Sequence, residues 1–118
     1  MPVSAPHFLS IERAMEYVGD MAGVQALLGT LEQSLASDLP HIRSLLASGD
    51  LPGVNRLLHQ IKGFAPVFCT DALVADVVRV ESLSKGSDLP QVREAYALLG
   101  PQLEQLLLEV QAQLKTPG

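Results

Sequence analysis

The chain has 118 residues, 47% of them apolar and 18% charged, a balance that suits one compact folded domain and excludes a disordered chain. A formal charge of −5, with eight scattered Lys and Arg, argues against a nucleic-acid partner, and no run of about 18 uninterrupted apolar residues is present to span a membrane. Aromatics make up 4%, Trp is absent and Leu and Ala dominate, so the core is aliphatic and the expected class is all-helical.

Residues 1–10 contain Pro and Ser and read as a flexible arm, without the basic region and apolar run of a signal peptide. The single cysteine, Cys69, cannot form an internal disulfide, which suits a reducing compartment; the cytoplasm is the expected location. Ile11, Ala14, Met15 and Val18 are spaced for one face of a short helix that Gly19-Asp20 ends. From Val24 the positions Leu28, Leu31, Leu35, Leu39, Ile42 and Leu46 recur by fours and threes, which predicts a long amphipathic helix. Pro40 falls inside it, and because the stripe keeps its phase across the proline we expect a kink rather than a break. Ser48-Gly49-Asp50 makes the next turn, with Asp50 as N-cap and Pro52 in the first turn that follows.

The third segment contains an apparent contradiction. Lys62-Gly63, with Pro66 three residues on, has the form of a helix stop. Yet Val54, Leu57, Leu58, Ile61, Ala65 and Phe68 stay on one stripe across Gly63, so the spacing predicts a helix that continues and bends near Pro66. Asp71 to Lys85 carries Leu73, Val77, Val80 and Leu83 at helical spacing, although LVADVVRV invites a strand on propensity alone. After a turn at Gly86-Ser87-Asp88, a last stripe runs from Val92 through Leu114, with a kink expected at Gly100-Pro101. Four substantial amphipathic helices with short links bury their stripes most economically as an antiparallel up-down four-helix bundle, here with a short extra N-terminal helix.

At 100° per residue, His59 lies about 150° from the centre of the third helix's apolar stripe, so it faces solvent. Asn55, Lys62, Gly63 and Pro66, at −4, +3, +4 and +7, are its neighbours on that face. A glycine inside an exposed helix costs about 1 kcal/mol relative to alanine, and close approach of another macromolecule to His59 is a reason for it. A neutral imidazole is a nucleophile, and a lysine three residues away stands ready to neutralise incoming negative charge. Phosphoryl transfer asks mainly for positioning and charge stabilisation, which a His and a Lys on a rigid helix supply. No phosphate-binding loop and no acidic metal cluster is visible, so an activated phosphate and any metal come from a partner.

The stretch His59-Gln60-Ile61-Lys62-Gly63 resembles the His-x-Leu/Ile-Lys-Gly core of histidine-containing phosphotransfer (HPt) domains, the four-helix-bundle intermediates of bacterial phosphorelays. The likeness extends to the short first helix, the long second helix, the motif helix, and an apolar-Glu pair, Val80-Glu81, with Glu81 22 positions after His59. The resemblance implies that Glu81 hydrogen-bonds the imidazole Nδ1–H and leaves Nε2 as nucleophile, with Lys85 adding positive charge on the same face. Phe64, Pro66 and Cys69 depart from the family's pattern and bear on partner choice. Phe64 is expected to pack against a neighbouring helix, and Cys69 to be a small buried hydrophobe.

The reading is a monomeric phosphorelay intermediate that accepts a phosphoryl group on His59 from a receiver-domain aspartyl phosphate and passes it to a response-regulator receiver. The donor belongs to a hybrid sensor kinase or a response regulator. Asn55, Gly63, Pro66 and Lys85 are expected to face the partner. The chain is expected to be a phosphocarrier without kinase activity, to need no cofactor of its own, and to meet Mg²⁺ on the partner receiver. The rival is a helical-bundle protein that sequesters a partner without chemistry. The initiating Met and short ends favour a free-standing protein over an excised module. His7 and His41 are assigned no function, and Glu94, Glu104 and Glu109 read as the solvated face of the last helix.

Overall fold

A computed structural model describes residues 8–86 and 88–115. It contains five helices: α1 (Ile11–Val18), α2 (Met21–Ser48), α3 (Leu51–Phe68), α4 (Asp71–Leu83) and α5 (Leu89–Lys115). The links α2–α3 and α3–α4 are two residues each, so the chain must reverse and consecutive helices lie antiparallel. Packing of α2 on α3, α3 on α4, α4 on α5 and α5 back on α2 closes a four-helix bundle, and α1 lies against α2 and α3.

Local chemistry sets the boundaries. Ser10 caps α1 by accepting the Arg13 N–H at 3.1 Å, and Asp20 caps α2 by accepting from Gly23 at 2.6 Å. Asp50 and Asp88 do the same at α3 and α5, accepting from Gly53 at 3.0 Å and Gln91 at 2.9 Å. The Leu-Pro that follows each aspartate fills the first turn, where proline's missing N–H costs nothing. The third Asp-Leu-Pro, at residues 38–40, does not start a helix, because Leu39 belongs to the buried stripe of α2 and holds that stretch in the helix. Pro40, Pro66 and Pro101 all lie within continuous helices.

Among the described residues, positive φ occurs only at Gly19 and Gly49, the left-handed caps that end α1 and α2. Gly63 is not among them, and α3 runs through it to Phe68. The stop-like stretch from Lys62 to Pro66 is therefore interior helix, as the phase of the stripe predicts. LVADVVRV is helical too, with Leu73, Val77 and Val80 fully buried against the other stripes.

Two expectations are corrected. The arm of residues 1–10 is not loose over residues 8–10; residues 1–7 lie outside the described residues. Leu9 is buried and pairs with Cys69 in an antiparallel bridge. The Ser10 N–H donates to the Phe68 carbonyl at 2.7 Å and the Thr70 N–H to the Phe8 carbonyl at 2.9 Å. Glu109 is not on a solvated face: it is buried, and its Oε1 accepts the N–H groups of Phe8 and Leu9 at 3.0 Å each. The two corrections share one cause, since the docked segment that buries Glu109 is held by Glu109. Glu94 is exposed as expected, and Glu104 is half-buried and paired with Arg43. Of the expected turn at Gly86-Ser87-Asp88, Ser87 lies outside the described residues.

Candidate functional site

The site straddles α3 and α4. His59 stands outward on α3 with its side chain 67% exposed, whereas Glu81 on α4 is 1% exposed. Glu81 sits beside Val77 and Val80 on the buried face of α4, so its carboxylate emerges from between the helices directly under the imidazole. His59 Nδ1 lies 3.4 Å from Glu81 Oε2, longer than an ideal hydrogen bond and close enough for the carboxylate to favour the tautomer protonated at Nδ1. That tautomer leaves Nε2 with the free lone pair.

Two cations share the same carboxylate. Lys62 Nζ is 3.4 Å from Oε1, and Lys85 Nζ is 3.6 Å from Oε2, one helical turn along from Glu81. Burial pushes the Glu81 carboxyl up, but the Lys62 hydrogen bond and charge, the Lys85 charge and the His59 contact outweigh it. The net result is a carboxyl held below its ordinary value and ionised at neutral pH. A buried anion is tolerated here because donors on both sides of the α3–α4 seam compensate it.

Asn55 differs from its expected place. It lies one turn before His59, but it is half-buried and its amide turns inward rather than to a partner. Its Nδ2 donates to the Glu81 carbonyl at 3.1 Å, to Ser84 Oγ at 3.0 Å and more distantly to Glu81 Oε2 at 3.4 Å. Ser84, buried at the C-cap of α4, was not legible as a site residue; its Oγ donates to the same Glu81 carbonyl at 2.6 Å. Gly63 and Pro66 are exposed beside His59, and a Cβ built on Gly63 meets nothing within 4 Å.

Two of the departures from the family pattern, Phe64 and Cys69, fall where they do not obstruct His59. Phe64 is half-buried against the core and lines a recess of about 130 Å³ with Leu27, Leu31 and Phe68 between α2 and α3. Cys69 is fully buried, and burial pushes its thiol up to about 12, so it is a core residue rather than a nucleophile. His41 is exposed on α2.

An outward histidine set on a buried carboxylate, flanked by a lysine and a bare glycine on a four-helix bundle, is an arrangement chemically suited to phosphoryl transfer. The family model for the Hpt domain matches residues 26–113, most of the chain and the whole of this site, and the chain belongs to that family. No curated protein and no solved structure matches it. Membership carries the general role of Hpt domains, histidine phosphotransfer in phosphorelays with receiver domains as partners. Among the described residues, no helix is long and apolar enough to cross a membrane.

Proposed function

We propose that the protein is a phosphorelay intermediate that takes a phosphoryl group from a receiver-domain aspartyl phosphate onto His59 and delivers it to a response-regulator receiver. The observation that carries this reading is the exposed imidazole with its Nδ1 turned to a buried, ionised Glu81. Nε2 attacks phosphorus as the P–O bond of the aspartyl phosphate breaks, and the electron pair leaves on the aspartate carboxylate. Nδ1 keeps its proton, so the ring becomes an imidazolium, and the Glu81 carboxylate balances the positive charge that develops on it. Lys62 lies one turn from His59, where swinging from Glu81 to the transferring oxygens needs side-chain rotation alone.

The chain acts as a phosphocarrier between proteins, in the cytoplasm and as a monomer. Mg²⁺ is supplied by the receiver, whose acidic pocket holds the aspartyl phosphate. Gly63 and Pro66 form the bare shoulder over which the receiver reaches His59, and Lys85 adds positive charge at its edge. The test is incubation with a phosphorylated receiver and Mg²⁺, followed by acid and alkali treatment. An acid-labile, alkali-stable phosphate on His59 is expected, and its absence across a panel of receivers would leave a sequestering protein in its place.

A further inference from the structure

The last turn of α4 has an irregular feature at Glu81. Helix ends leave their final carbonyls without intrahelical donors. Here the Val80 carbonyl takes the Ser84 N–H at 3.0 Å, the Ser82 carbonyl takes the Lys85 N–H at 3.2 Å, and the Leu83 carbonyl takes the Gly86 N–H at 3.4 Å. The turn thus tightens and skips one acceptor. The Glu81 carbonyl is served by side chains instead: Ser84 Oγ at 2.6 Å from its own helix, and Asn55 Nδ2 at 3.1 Å from the helix that carries His59. Asn55 also donates to Ser84 Oγ at 3.0 Å, so the three groups close a small ring of hydrogen bonds. One α3 residue therefore fastens the backbone of Glu81 one turn below the imidazole that Glu81 touches.

Resting on the assignment of His59 as phosphoacceptor, we propose that Asn55 and Ser84 are positioning residues for phosphoryl transfer: they fix the Glu81 backbone, and through it the carboxylate that selects the Nδ1–H tautomer of His59. The need for such a device follows from distances. The His59–Glu81 approach is 3.4 Å, already at the long end of a useful contact, so a shift of α4 by a few tenths of an ångström would lose it. Lys62 and Lys85 do not secure it, because each reaches Glu81 through a flexible, solvent-facing stem. The Asn55–Ser84 ring is short-stemmed and partly buried, and it acts on the backbone. An imidazole without this constraint favours the tautomer protonated at Nε2, in which the atom that must attack phosphorus carries a proton.

A small donor tests the ring without a docking partner. Phosphoramidate phosphorylates imidazole directly: the Nε2–P bond forms as the P–N bond breaks, and the nitrogen leaves as ammonia after taking a proton from solvent. Asn55→Ala, Ser84→Ala, Ser84→Thr and His59→Gln would be compared with the parent protein by phosphoramidate labelling rate, thermal melting and the ¹⁵N pattern of the neutral His59 ring. Asn55→Ala and Ser84→Ala are expected to shift the ring toward Nε2–H and to slow labelling about tenfold, and Ser84→Thr, which keeps the hydroxyl, to restore both. A lowered melting temperature with the parent tautomer and the parent labelling rate would overturn the positioning role and leave His59 in place. Labelling that survives in His59→Gln would instead overturn the phosphoacceptor assignment on which the proposal rests.

Discussion

The bundle contains two buried glutamates, and they do opposite work. Glu109 on α5 points its Oε1 at two main-chain N–H groups, those of Phe8 and Leu9, while its Oε2 takes the Gln105 amide at 3.1 Å. Glu81 on α4 meets the side chains of His59, Lys62, Lys85 and Asn55, three of which bring cationic or ionisable ends from solvent. The first carboxylate is consumed by backbone donors that cannot leave without undocking the N-terminal segment. The second is surrounded, Asn55 apart, by groups that can swing away to meet another anion. The same residue type in the same bundle is thus a structural anchor where its donors are main-chain, and on the proposed function a component of the reactive site where most of its partners are mobile side chains.

The comparison breaks most severely at His59. Replacement by Gln should abolish phosphate acceptance and leave the melting temperature nearly unchanged, because a side chain this exposed contributes little to the core. Glu109→Ala should show the reverse pattern. It removes the acceptor of the buried Leu9 N–H and of the part-buried Phe8 N–H, and an unsatisfied buried donor costs about 1–3 kcal/mol, so a loss of that order is expected in denaturant melts, with phosphoryl transfer per folded molecule unchanged. If transfer fell in step with stability at 109, the division of labour between the two carboxylates would be wrong.

Lys62→Ala should slow transfer from a phosphorylated receiver about tenfold, the worth of about 1.4 kcal/mol of charge stabilisation. Unaltered single-turnover rates would mean that the receiver supplies all of it. Glu81 also leaves a mark on the pH axis. Because the Glu81 carboxyl is held below its ordinary value in the fold, its contribution to stability is complete above the unfolded-state carboxylate range and is lost as pH falls through the depressed folded value. Melts followed downward from neutral pH should lose part of their acid limb in Glu81→Gln. In Lys62→Ala the same limb should move to higher pH, since one of the groups that depress the carboxyl has gone.

The smallest expected effect is at Gly63. Alanine there enters an unstrained helix with open space around its Cβ, so stability should stay level or rise by up to about 1 kcal/mol. Glutamine at 63 should weaken receiver binding without lowering the melting temperature. A destabilised Gly63→Ala would contradict the continuous helix.

Most of the architecture was legible because it is periodic. Stripes that hold phase over many residues located all five helices, including α3 across Gly63 and α4 through a strand-like run of valines. His59, Lys62 and Gly63 were legible for the same reason, since helical spacing alone places them together on the face opposite Ile61. Glu109 was not, because what buries it is an aperiodic segment 100 residues away along the chain, and a carboxylate near the edge of a stripe reads by default as solvated. Asn55 was placed on the correct side of α3 with the wrong orientation. Its inward turn depends on how the last turn of α4 lies against α3, and on a skipped carbonyl that spacing does not reveal. Ser84 carried no signal until that carbonyl was seen.

The bridge between Leu9 and Cys69 makes the thiol a clock. Fully enclosed, and with its ionisation pushed up to about 12, Cys69 reacts with an alkylating reagent only in molecules whose cover has lifted. The labelling rate therefore counts excursions of the edge formed by residues 8–10 and the α3–α4 corner, whereas exchange of the central amides of α3 counts opening of the bundle. If the two rates differ, the N-terminal clasp breathes independently of the helix that carries His59; if they coincide, the chain opens as one cooperative unit.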